Sequence, residues 1–139
     1  MKIKKIVTKV LLVAMVALVV SPIAADARQI GNFSTFAVPV TSTNYRRVPQ
    51  ARAKAVTGRR GVVNLEGRAT GSPRIHARMR NSAEQNRGNV SLLQGERITF
   101  ATPGAEAGFN YWLWLRASGV ANSQIQSVGI TGSWSPDEH

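Results

Sequence analysis

The chain reads as all-β: a single antiparallel β-sandwich or barrel-like domain of about seven or eight strands behind an N-terminal signal peptide. Three observations predict this. Alternating apolar and polar segments are separated by Gly, Pro, Ser and Asn clusters. No stretch sustains the 3.6-residue period of a helix. The chain contains no Cys, so stability in an oxidising compartment would have to come from sheet pairing and apolar packing rather than disulfides.

Residues 1–27 carry the three parts of a secretory leader. Lys2, Lys4, Lys5 and Lys9 precede an apolar run over 10–20, Ser21-Pro22 interrupts it, and Ala25-Asp26-Ala27 offers small residues for cleavage. The run is shorter than the roughly 20 residues needed to span a bilayer. The expected organisation is a signal peptide over 1–27 and a secreted, extracellular β-domain over 28–139. That length accommodates one modest core.

The first expected strand covers 32–40 and meets Pro39, which suits an edge position because Pro cannot donate to a ladder. Residues 46–56 contain Pro49 and then alternate Ala51, Ala53 and Ala55 against Arg52, Lys54 and Val56; helix is the competing reading. Thr57-Gly58-Arg59-Arg60-Gly61 is a tight connection to a strand over 62–68, so a hairpin is expected there. After the turn at 70–73 the alternation is clearest: Ile75, Ala77 and Met79 on one side, Arg74, His76, Arg78 and Arg80 on the other. A polar loop over 81–89, with a short helical turn at 83–87, leads to short strands over 90–93 and 96–102. The most aromatic segment, 110–116, reads as a central strand with Tyr111, Leu113 and Leu115 on one face and Trp112, Trp114 and Arg116 on the other. The last strand covers 125–134, with Val128, Ile130 and Trp134 in phase as core.

The formal net charge is +11, and the excess survives removal of the leader. Lys54 is the only lysine beyond residue 27; every other cation there is Arg. A planar guanidinium suits phosphate and carboxylate better than a point charge does. If Arg52, Lys54, Arg68, Arg74, Arg78 and Arg80 lie on outward faces of neighbouring strands, they form an anion-binding sheet face with Arg46, Arg47, Arg59 and Arg60 on its rim. Solubilisation of outward strand positions is the simpler alternative. For Trp112 and Trp114 two readings also stand, core filler and aromatic platform, with core favoured.

Catalysis has little support. There is no Cys nucleophile and no Gly-x-Ser-x-Gly elbow. His76 lies among Arg residues that disfavour its protonated form, with no carboxylate to orient it, and reads as a solvated surface residue. The few acids, Glu66, Glu84, Glu96, Glu106, Asp137 and Glu138, read as ion-pair partners. No metal-ligand spacing occurs, and no cofactor is implied.

The lysine-rich leader, the Cys-free domain, the aromatic strand and the closing Ile130-Thr131-Gly132-Ser133-Trp134-Ser135-Pro136-Asp137-Glu138 resemble small secreted β-proteins of Gram-positive bacteria. A Gly-x-Trp-x-x-Asp/Glu ending is common among those. The layout is also similar to lactococcin-like bacteriocins, which are cationic, exported, β-rich and active at the cell envelope. Gly132 and Trp134 match as structural positions, and the resemblance carries over no functional residue. The Arg-rich composition departs from the Lys/Gly/Tyr-rich character of those bacteriocins.

The expected function is therefore a secreted, non-catalytic cationic protein that binds an anionic polymer or lipid of the bacterial envelope, as an antimicrobial or competition factor. The alternative is a carbohydrate- or protein-binding module that uses Trp112 and Trp114. Nucleic acid is disfavoured as a partner, since no recognition module is present.

Overall fold

The computed structural model describes residues 28–41, 43–67, 73–120 and 124–138. The signal-peptide reading, Arg68 and most of the turn at 70–73 lie outside these. Nine strands form two antiparallel sheets. They are β1 (Gly31–Pro39), β2 (Arg46–Arg47), β3 (Arg52–Ala53), β4 (Gly61–Leu65), β5 (Arg74–Arg80), β6 (Asn86–Leu92), β7 (Arg97–Phe100), β8 (Asn110–Ser118) and β9 (Ser127–Ser135). The first sheet has the order β1-β9-β4-β7. The second has the order β2-β8-β5-β6, with β3 also pairing β8. No helix occurs among the described residues.

The apolar alternation of β5 and β8 builds one half of the core. Ile75, Ala77 and Met79 lie opposite Ala117, Leu115 and Leu113, so directly paired residues share the inner face, and all six are buried. Burying a Leu, Ile or Met side chain contributes roughly 1.5–3 kcal/mol. The other half comes from Phe33, Val38, Val63, Leu65, Phe100, Ile130 and Trp134 of the first sheet. Trp134 is 1% exposed and joins this core, as its phase with Ile130 implies. Room for it comes from Gly31, where a Cβ would lie 2.6 Å from the indole nitrogen. Gly132 similarly admits the backbone of β4, since a side chain there would run into the Asn64 carbonyl oxygen.

Several expected elements differ. β1 is an edge strand, as Pro39 implies, and beyond it the chain crosses to the second sheet through a parallel bridge from Val40 to Ala117. The segment 46–56 is neither helix nor one strand: it follows β8 as the short β2 and β3, interrupted around Pro49. Val48 and Lys54 still donate their backbone N–H groups to Leu113 and Phe109. The hairpin between 46–56 and 62–68 does not form. Its connection instead crosses between sheets, and β4 pairs with β7 and β9. The helical turn at 83–87 is replaced by a tight turn in which the Asn81 side-chain oxygen accepts from the N–H groups of Ala83 and Gln85, and β6 begins at Asn86, inside the expected loop.

Candidate functional site

The outer face of the second sheet gathers arginines and aromatic rings. Alternation that sends Ile75, Ala77 and Met79 inward turns Arg74, His76, Arg78 and Arg80 outward. The same pleat on β8 turns Trp112, Trp114 and Arg116 outward, directly opposite Arg80, Arg78 and His76. β2 adds Arg47 opposite Trp114, and Tyr45 leans over the strands from just before it. Trp112 and Trp114 are half-buried on this face and are not core residues; the inner positions of β8 belong to Tyr111, Leu113 and Leu115.

The groups interleave. Arg47 lies 5.8 Å from the Trp112 ring centroid and 5.9 Å from that of Trp114, and Arg80 lies 4.7 Å from Trp114. Arg78, Arg116 and Arg80 surround Tyr45 at 4.4, 5.3 and 5.6 Å. Each cation–π contact at an exposed site is worth about 0.5–1 kcal/mol. A ring beside a guanidinium limits its motion, which lowers the ordering cost of meeting an anion, and Arg116 is held further by its donation to the Thr41 carbonyl at 3.1 Å. Among the described residues no carboxylate pairs with any of these arginines, because the ion pairs found are Lys54–Asp137 and Arg97–Glu138. The face carries positive charge without a local counter-charge.

His76 sits inside this field, half-buried rather than freely solvated. Its Nδ1 lies 2.8 Å from Ser91 Oγ and its Nε2 2.7 Å from Ser118 Oγ, so one ring nitrogen donates and the other accepts in the neutral form. Burial, then Arg116, Arg74 and Arg78, hold its pKa below the ordinary imidazole value. The surrounding arginines were legible from the alternation; the two serines, on β6 and β8, were not.

Two expected anion-binding residues lie elsewhere. Lys54 is 1% exposed. Its ammonium donates to the carbonyls of Arg59 (2.7 Å) and Pro136 (2.6 Å) and lies 3.4 Å from Asp137 Oδ1. Asp137 in turn accepts the N–H groups of Ala55 (2.6 Å) and Val56 (3.2 Å). Burial pulls the Lys54 pKa below its ordinary value, and the Asp137 charge opposes that shift. The outward face expected for Lys54 is thus reversed, because its three donors find acceptors inside. Arg52 shares that side of the chain: paired with the inward-facing Tyr111, it bonds the Ala51 carbonyl and the Gln50 side chain and approaches Gly31 beside Trp134. Of the expected set, Arg74, Arg78 and Arg80 are brought together on one strand face. Arg47, expected on the rim, joins them beside Trp112 and Trp114, and the structure adds Tyr45 and Arg116. The Tyr-Arg-Arg run at 45–47, between the polar loop and Pro49, was the available signal for Tyr45.

No group of three or more His, Asp or Glu among the described residues is arranged to hold a metal ion. Comparison with protein-family models, curated proteins and solved structures finds no match. The functional reading rests on this geometry.

Proposed function

We propose that this chain is a secreted, non-catalytic binding protein whose Arg–aromatic face engages an anionic polymer or lipid of the bacterial envelope. An antimicrobial or competition role follows from that target. The observation that carries the reading is the set of five guanidiniums, from Arg47, Arg74, Arg78, Arg80 and Arg116, on one sheet face without a carboxylate partner. Guanidinium forks match phosphate and carboxylate oxygens in two-point contacts. The second reading, a carbohydrate- or protein-binding module, is favoured by the outward, half-exposed placement of Trp112 and Trp114. Both chemistries occupy one surface, so the two readings differ in which group carries the affinity.

Binding of the purified protein to isolated phosphate-bearing wall polymer and to anionic liposomes, with zwitterionic liposomes as control, separates them. The Debye length shrinks from about 10 Å at 0.1 M salt to about 3 Å at 1 M. Charge-driven binding should therefore fall steeply over that range and be lost in an Arg74/Arg78/Arg80→Gln variant. Salt-indifferent binding that the triple variant retains, and that Trp114→Ala abolishes, would replace it with the aromatic-platform reading.

A further inference from the structure

Beside the basic face lies a depression of ≈ 470 Å³, bounded by the turn between β5 and β6 and by the loop that precedes β8. This volume falls within the range of about 300–1,000 Å³ typical of small-molecule sites. Its wall includes Asn81, Arg87, Glu106, Phe109, Asn110 and Trp112. Phe109 is 60% exposed, the highest value among the exposed large apolar side chains.

The loop holds Phe109 outward by construction. Glu106 N–H donates to the Tyr111 hydroxyl (2.8 Å), Ala107 N–H to Thr57 Oγ1 (2.9 Å), and Gly108 N–H to the Lys54 carbonyl (2.8 Å). The Phe109 carbonyl accepts from Lys54 N–H at 3.0 Å. Across the depression, Asn81 is committed to its own turn. By contrast, the Glu106 carboxylate, the Asn110 amide and the Trp112 indole N–H make no hydrogen bond or ion pair with described residues. The depression is thus preformed, with aromatic walls and uncommitted donors and acceptors.

That combination selects a ligand class. Arg87 and Glu106 both line it, so its charges balance, unlike the basic face, where no carboxylate offsets the arginines. A hexose ring offers an apolar C–H face to an aromatic wall and adjacent hydroxyls that a carboxylate and an amide can bind together. Trp112 both lines the depression and meets Arg47 of the basic face, which makes the two surfaces continuous.

We propose that this depression binds a hexose unit carried by the same phosphate-bearing polymer that the Arg face engages. The inference rests on the envelope-binding reading and assigns the polymer's sugar to Glu106, Phe109, Asn110 and Trp112. Its test compares poly(glycerol phosphate) with and without hexose substituents, by calorimetry, on the purified wild type and on Glu106→Gln, Phe109→Ser and Arg78→Gln variants. The substituted polymer should bind about tenfold tighter. Glu106→Gln and Phe109→Ser should erase that difference while leaving the bare polymer's affinity unchanged, whereas Arg78→Gln should weaken both polymers. Equal wild-type affinity for the two polymers overturns the hexose site and leaves the anion reading standing. If neither polymer binds, the phosphate-polymer form of the anion reading fails, and saturation-transfer NMR with a free hexose disaccharide decides the site. Transfer that Phe109→Ser abolishes upholds it; no transfer overturns it.

Discussion

Lys54 follows the short strand on one side of β8, and Arg78 sits on the strand at the other side. Their contrast separates the charge that holds this fold from the charge that faces outward. Lys54 is a compact cation with three donors, and it finds three acceptors inside the protein: two from the closing segment, the Pro136 carbonyl and Asp137 Oδ1, and a third from the Arg59 carbonyl. Arg78 is planar, lies 4.4 Å from the Tyr45 ring centroid and is half-buried on the outward face. Cation type, as much as position, matches the two environments. A Lys can be enclosed by carbonyls, whereas an Arg ladder needs flat rings and space.

The contrast can be broken at its buried end. Asp137→Ala would leave the Lys54 ammonium enclosed without its counter-charge, an arrangement that costs about 3–5 kcal/mol, and would also strand the N–H groups of Ala55 and Val56. Denaturant unfolding should show a larger loss than Trp134→Ala, Arg78→Gln or His76→Gln. Adding Lys54→Met should recover part of it by removing the uncompensated charge; no recovery would mean that Asp137 acts through the two N–H groups alone. Next in size is Trp134→Ala, at about 3–5 kcal/mol for a buried aromatic, with no charge left behind. A thermal midpoint unchanged from wild type would contradict its place in the core.

The outward end should behave oppositely. Arg78→Gln removes an exposed cation–π contact, and surface substitutions usually shift stability by about 0.5 kcal/mol or less. Calorimetry should find the fold nearly unchanged while polymer binding falls. The smallest effect is that of His76 on pH dependence. Its folded pKa lies below the unfolded value, so the unfolded chain takes up the proton first. Stability linked to this ring is full above about pH 6.5 and declines as pH falls through that value toward the folded pKa. Thermal midpoints measured from neutral to mildly acidic pH should fall less in His76→Gln than in the wild type.

Where a strand has one apolar and one polar face, its orientation was legible from sequence. Ile75, Ala77 and Met79 could only face a core, and Arg74, Arg78 and Arg80 followed. β8 offered apolar residues on both faces, so periodicity located the strand without choosing its inner side. That choice depends on pairing with β5, which places Leu113 and Leu115 opposite Met79 and Ala77. The segment around Lys54 misled for a different reason. Alternating alanines looked like an inner face, but alanine gains little from burial, and Asp137, 83 residues away, makes the lysine side the inner one. Tyr45 stood alone in a polar stretch, and its role depends on cations from two other strands, β5 and β8. The all-β class survived these local errors because it rests on turn spacing and period rather than on which face is buried.

The strand order has a consequence for how the chain folds. Among the described strands β1 pairs only with β9, and β2 and β3 pair only with β8. The two latest strands are therefore the interior strands on which the earliest ones assemble. A growing chain carries β1, β2 and β3 without these partners until β8 and β9 have been made, whereas β4–β7 and β5–β6 can pair earlier. Such non-local pairing slows folding, because distant segments must be brought together before contacts reward them.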